Sequence, residues 1–251
     1  MSFQRIIFAF LVILFAFSAN AQQVYPAVFY NLENLFDTVN DPLTDDDEFT
    51  PTGNYRYTDK VYTQKLRNMA YALQRAGVDK NAKGAVLIGL AEVENSKVLS
   101  ALVNTQELKA RGYRYVWYNS TDPRGIDVAL LYNPALFKVI SSKQLEVRNG
   151  AREPLYVKGV FAGDTVHVLV NHWPSRRDGA DETENKRKEM AAANRKMIDE
   201  IRQHNHLARI ILMGDLNDNP NNESLTSVLG ANANAANVGI IAYDDDGYEI
   251  I

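Results

Sequence analysis

The chain has 251 residues, of which 46% are apolar and 23% charged, with 14 Gly and 8 Pro. This excludes a collagen-like, coiled-coil or wholly disordered chain, and the length suits one large domain. The 27 Lys and Arg against 31 Asp and Glu leave a net charge of −4, so no global positive field draws the protein to nucleic acid, and a phosphate-bearing ligand must be held locally.

Met1 to Ala21 carries one charge, Arg5, then an unbroken apolar run from Ile6 to Phe17 and the small-x-small pattern Ala19-Asn20-Ala21. The layout predicts a secretory signal peptide over residues 1–21, cut after Ala21, and one domain over 22–251. Twelve apolar residues rise only about 18 Å, short of the ~30 Å hydrocarbon core, which argues against a membrane anchor. No other stretch approaches 18 apolar residues, so no stable membrane association is expected. The chain has no Cys, which removes any disulfide framework, thiolate-ligated metal or Cys nucleophile.

Short apolar runs then alternate with amphipathic ones. Strands are predicted at Ala27–Asn31, Ala85–Leu90, Tyr113–Tyr118, Val128–Tyr132, Phe137–Ile140, Leu155–Ala162, Val166–Asn171 and Ile210–Met213. Helices are predicted at Asp59–Ala76, Ser96–Asn104 and Glu182–His204, with a short one near Glu223–Leu229. Tyr62, Leu66, Met69, Ala70 and Leu73 share one face of the first helix, and Gly77 follows as its stop. Gly163-Asp164 reads as a hairpin turn. The mixture predicts an α/β sandwich, two mixed sheets packed face to face with helices outside. The acidic segment Asp37–Thr52 reads as a solvated loop in preference to a calcium site.

Five stretches place metal- or phosphate-binding residues at strand ends, where a rigid element can converge them on one pocket. Asn31 and Glu33 are two apart, which in an extended chain puts them on one side. Glu92 follows the apolar run from Val86 and reads as a hard-metal ligand, because an unpaired buried carboxylate is costly. An exposed Glu at a helix start fits Glu94 better than Glu92. Asp122-Pro123-Arg124-Gly125 is either a polar turn or a phosphate clasp through the Arg124 fork. His172 follows a strand and precedes Arg176 and Arg177, so a structural and a catalytic role are both open. Asp215 and Asn217 follow the strand ending at Met213. A calcium-hand reading fails there, because Pro220 and Thr226 stand where the loop needs Gly and Glu.

Taken together the stretches resemble the endonuclease/exonuclease/phosphatase superfamily over roughly Val24 to Leu229. The matching motifs are Asn31-x-Glu33-Asn34, Leu90-Ala91-Glu92, Asn171-His172 and Gly214-Asp215-Leu216-Asn217. The resemblance implies a four-layer α/β sandwich and Mg²⁺- or Mn²⁺-dependent phosphoester hydrolysis. Asn31, Glu33 and Glu92 would hold the metal, and Asp215 would orient the attacking water. His172 and Asn217 would contact the phosphate, while Arg124, Arg176 and Arg177 position a polyanion. The expected substrate is a phosphodiester, with nucleic acid favoured over a lipid or small phosphoester because the Asp37–Thr52 and Trp173–Asn185 loops are polar.

One departure stands out. The superfamily ends on a strand carrying Ser-Asp-His, whereas here 34 residues follow Asn217 and no His occurs after His206. The chain is therefore expected to be C-terminally incomplete. It is expected to turn over slowly, or to bind metal or phosphate without catalysis.

Overall fold

The computed structural model describes residues 24–147, 152–177 and 179–232, together with the backbone of 242–243 and 249–250. The proposed signal peptide at 1–21 and most of the residues after 232 lie outside the described residues.

Two four-stranded sheets form the centre. The first uses β1 (Ala27–Leu35), β2 (Leu87–Val93), β3 (Arg114–Trp117) and β4 (Asp127–Tyr132) in the order β1-β2-β4-β3. The second uses β5 (Phe137–Gln144), β6 (Leu155–Phe161), β7 (Asp164–His172) and β8 (Arg209–Asp215) in sequence order. Each sheet has one parallel pair, β1 with β2 and β7 with β8, and both pairs lie at a sheet edge. The remaining neighbours are antiparallel. β6 and β7 close through Ala162 and Gly163, both with positive φ, as a two-residue hairpin requires.

The helices are α1 (Asp59–Arg75), α2 (Ser96–Val103) and α3 (Ala180–His204), followed by a short π-helical turn at Ser224–Leu229. The apolar stripe of α1 packs with α2 on the outer face of the first sheet, through Ala70, Leu73, Val98, Leu99 and Leu102. Met190, Ala191, Met197, Ile198 and Ile201 of α3 cover the outer face of the second sheet with Leu169 and Trp173. Between the sheets, Val128 and Leu130 meet Val157, Val166, Val168 and Val170. The layers run α/β/β/α, the four-layer sandwich the sequence predicts, and every predicted element is present with ends shifted by a few residues.

Gly89 lets the two sheets approach, and Gly214 lets β8 lie close beside β7 within the second sheet. A Cβ on Gly89 of β2 would meet Met213 Sδ of β8 at 2.5 Å, and one on Gly214 would meet the Asn171 carbonyl at 2.3 Å. Both contacts lie below the strand ends that carry the candidate residues. Gly89→Ala is expected to lower stability by about 1–3 kcal/mol through overpacking between the sheets, read from urea unfolding. An unchanged midpoint would show that the sheets do not meet there.

Candidate active site

The two parallel edges bring their strand ends to one rim. Asn31 leaves β1, Glu92 sits near the end of β2, and His172 and Asp215 are ladder partners at the ends of β7 and β8. The Asn31 amide donates to Glu92 Oε1 at 3.1 Å and to Asp215 Oδ2 at 3.2 Å. Its own Oδ1 accepts from the Glu33 N–H at 2.8 Å. One neutral side chain thus binds two carboxylates from opposite sheets. His172 Nε2 stands 3.6 Å from Glu92 Oε1 and 4.0 Å from Asp215 Oδ2.

Backbone irregularity aims these groups. On β2 the pairing to β4 steps from Ala91–Val128 to Val93–Asp127, so Glu92 is the extra residue of a β-bulge. Glu92 and Asn217 both have left-handed backbone, with φ of 60° and 49°. Such residues cost on the order of 1–3 kcal/mol each and persist where the surroundings enforce them.

The bulge also corrects the expectation for Glu33. On β1 the register jumps from Asn31–Ala91 to Leu35–Val93, and Glu33 and Asn34 adopt φ of 51° and 62°. The strand is not extended there, so Asn31 and Glu33 do not share a side. Leu32 is buried and Glu33 is exposed. Glu33 makes no hydrogen bond to Glu92 or Asp215; its carbonyl accepts from Lys65 Nζ of α1. Lys65 feels the charges of both Glu33 and Glu92, which oppose the lowering of its pKa by burial.

Asn217 turns its amide onto the Trp173 carbonyl at 2.9 Å, which commits one of its two amide hydrogens. Its backbone N–H donates to Asp215 Oδ1 at 3.1 Å. Arg176 is not free for a polyanion. It donates to the Asn217 carbonyl at 2.9 Å and to Asp218 at 2.8 Å. The Asp218 side chain is fully buried and also pairs with Arg187 of α3 at 2.8 Å. This clamp fixes the loop that presents Asn217. Arg177 is exposed. Arg124 is half-exposed and pairs with Asp122 at 3.3 Å.

Arg152 is a residue beside the rim that sequence reasoning misses. It is buried and donates to the His172 carbonyl at 3.0 Å and the Trp173 carbonyl at 2.9 Å, while pairing with Asp122 at 3.4 Å. A lone Arg before Glu-Pro carries no signal for this. The strand that ends near it, β7, is what places it under the site.

Burial, and then the Arg152 and Arg124 guanidiniums, hold the His172 pKa well below its ordinary value. His172 is therefore a neutral imidazole at pH 7. Its Nε2 edge faces the carboxylates and its Nδ1 has no partner. A neutral ring of this kind is a weak base but a competent donor or acceptor toward a phosphoryl oxygen.

Among the described residues no three Asp, Glu or His side chains close on a common point. The donor set nevertheless fits a hard cation. Glu92 and Asp215 present oxygens toward one amide, and neither pairs with a Lys or Arg among the described residues. Two carboxylates held on one amide without an ion-pair partner repel one another, and a small divalent ion with oxygen preference relieves that.

Because the folded His172 pKa lies below the unfolded value, unfolding takes up a proton as pH falls below about 6.5. Stability from this group is full above that pH and is lost below it. His172→Gln should lose less stability than the parent between pH 7 and 5, and the His172 ring should show no NMR titration near pH 6.5. In Arg152→Met the ring should titrate at higher pH, with a stability loss of about 3 kcal/mol. A His172 that titrates normally in the parent protein would contradict this electrostatic picture.

The Endonuclease/Exonuclease/phosphatase family model matches residues 26–243. Among solved structures, truncated Caenorhabditis elegans TDP2 is 20% identical, covers 68% of this chain and 62% of its own, and superposes with a TM-score of 0.49. The human Nocturnin catalytic domain with bound sulfate is 18% identical and covers 64% of this chain and 60% of its own, with a TM-score of 0.48. ANGEL2, a 2′,3′-cyclic phosphatase, is 14% identical and covers 72% of this chain and 55% of its own, at 0.48. The chain thus spans about three fifths of the length of these proteins. No curated protein matches it. The family match spans both sheets and every residue of the rim, and the chain belongs to the endonuclease/exonuclease/phosphatase family, whose members are hydrolases that act on phosphodiester bonds.

Proposed function

We propose that this protein is an exported, divalent-metal-dependent phosphodiesterase that cleaves nucleic acid. One observation carries the reading: Asn31 ties Glu92 and Asp215 together from opposite sheets, with neutral His172 beside both. Enzymes of this family generally use divalent metal ions. The site residues fit Mg²⁺ or Mn²⁺, with Glu92 and Asp215 as the anionic ligands and Asn31 holding them in place. Glu33 is the outer candidate, exposed and held through its carbonyl by Lys65. A bound cation would supply charge to offset the negative charge that develops on the phosphoryl oxygens.

The chain's own groups divide the remaining work. Asp215 orients the attacking water. His172 and the free amide hydrogen of Asn217 hydrogen-bond to phosphoryl oxygens and hold the phosphorus for in-line attack. Lys65 adds positive charge at the rim. Arg124 and Arg177, both exposed, contact flanking phosphates of a chain-like substrate. A polymeric phosphodiester suits these outlying cations better than a small phosphoester does. Export follows from the layout of residues 1–21. Secreted material should begin at Gln22, and material that retains Met1 in the cytoplasm would count against it.

The test is hydrolysis of plasmid DNA and of bis-p-nitrophenyl phosphate with Mg²⁺ or Mn²⁺. Glu92→Gln and Asp215→Asn should each reduce kcat by about 10²-fold or more, and His172→Ala by about 10²–10³-fold. Arg177→Ala should raise KM for DNA while leaving the small substrate unaffected. Turnover that persists with chelator, or in Glu92→Gln, would overturn the proposal.

A further inference from the structure

The loop after β8 is gripped at every polar group that its first residues offer. Asn217 has left-handed backbone, with φ of 49°. Its N–H donates to Asp215 Oδ1 at 3.1 Å, and its carbonyl accepts from Arg176 Nε at 2.9 Å. Its side-chain amide donates to the Trp173 carbonyl at 2.9 Å. Trp173 is itself fixed. Its N–H donates to the Asp215 carbonyl at 2.8 Å, and its buried indole donates to Asn171 Oδ1 at 3.0 Å. Its carbonyl also accepts from Arg152 at 2.9 Å. One amide hydrogen of Asn217 is therefore fixed in direction, and the planar amide then dictates where the other points.

Asp218 anchors this arrangement. Its side chain has no exposed surface, and Arg176 Nη2 and Arg187 Nε each stand 2.8 Å from its Oδ1. The Asn222 amide donates to the same oxygen at 3.2 Å, and the Ser224 hydroxyl donates to Oδ2 at 2.5 Å. Burial raises the pKa of Asp218, but the hydrogen bonds from Ser224, Arg176 and Arg187 outweigh it and hold the pKa below its ordinary value. Arg187 is buried as well. It donates to Thr183 Oγ1 at 2.5 Å and to the Ala180 carbonyl at 2.8 Å, which seats it in the first two turns of α3. Glu94 and Asp46 are also buried, against the exposed positions their sequence context suggests, and accept from the backbone N–H groups of Asp37 and Asp41.

A buried ion pair is weak evidence for stability, because apolar residues in its place often serve as well. What this one supplies is direction. The Arg176 guanidinium is a planar fork, and with Nη2 held on Asp218 its Nε–H is aimed at the Asn217 carbonyl.

We infer that Asp218 is a positioning residue for phosphodiester hydrolysis: through Arg176 it locks Asn217 so that the amide hydrogen left free by Trp173 is presented to the phosphoryl oxygen. The inference rests on the hydrolase reading of the rim. Asp218 touches no substrate, and its effect on the reaction passes through Asn217. A donor held in place before the reaction needs no reorientation as charge develops on the phosphoryl group. Arg176, expected from the sequence to position a polyanion, serves the loop instead.

Two variants test this chain of contacts. Arg176→Lys keeps a positive charge for Asp218 but removes the Nε–H that holds the Asn217 carbonyl, and it acts on a side chain that reaches the surface. Asp218→Asn removes the charge that holds Arg176. Each should lower kcat for bis-p-nitrophenyl phosphate by about 10-fold or more, with KM and Mn²⁺ affinity unchanged. A double-mutant cycle separates positioning from a general structural role: in the Asn217→Ala protein, adding Arg176→Lys should lower kcat no further. A second readout needs no turnover. By ¹⁵N relaxation the Asn217 side-chain amide should be rigid in the parent and mobile in both variants, while the backbone of β7 and β8 stays rigid. A parent that hydrolyses nothing would overturn the hydrolase reading, and the relaxation result would still decide whether Asp218 holds Asn217. Losses in kcat that add across the cycle, an effect of Arg176→Lys confined to KM for DNA, or an Asn217 amide that stays rigid in both variants would each overturn the inference.

Discussion

The geometry of the site depends on one side chain, the Asn31 amide. It spends both amide hydrogens on carboxylates that belong to different sheets and its oxygen on the backbone of Glu33. Hydrogen bonds to charged acceptors contribute on the order of 1.5–3 kcal/mol each. Here they hold together two like charges that would otherwise separate. An aspartate in this place would add a third negative charge, and a leucine would leave both carboxylates unbridged. The bridge spans the two sheets at the rim, above the point where Gly89 leaves room for Met213 of the facing sheet.

The surroundings of that bridge are arranged by charge. Arg152 lies buried behind His172 and holds two backbone carbonyls, and burial, reinforced by this guanidinium, holds the imidazole pKa down. Lys65 approaches from α1 on the other side. The Asp218 carboxylate gathers Arg176 and Arg187, which ties together the loop after β7, α3 and the loop after β8. Positive charge thus surrounds the two carboxylates without pairing with them.

Much of this was legible in the sequence because strand ends leave a local signature. A short apolar run followed by Glu92, by His172 or by Asp215 marks both the strand and the position where its last side chain emerges. The layered fold followed from the same alternation of runs. What was not legible depended on irregular backbone or on distant packing. The Asn31–Glu33 relation failed because a bulge breaks the two-residue period, and sequence alone does not announce a bulge. Arg152 and Asp218 were invisible because their partners lie far along the chain. Asp46 and Glu94 were misjudged because acidic composition suggests solvent, whereas a small aromatic core under Phe36 and Phe49 buries them.

The central claim is that Glu92 and Asp215, joined through Asn31, form a divalent-metal centre. Crystals grown with Mn²⁺ test it most directly through anomalous diffraction. The account predicts one strong peak in contact with both carboxylates, and its loss in Asp215→Asn. A map with no peak between Glu92 and Asp215, in crystals whose other manganese sites are occupied, would contradict it.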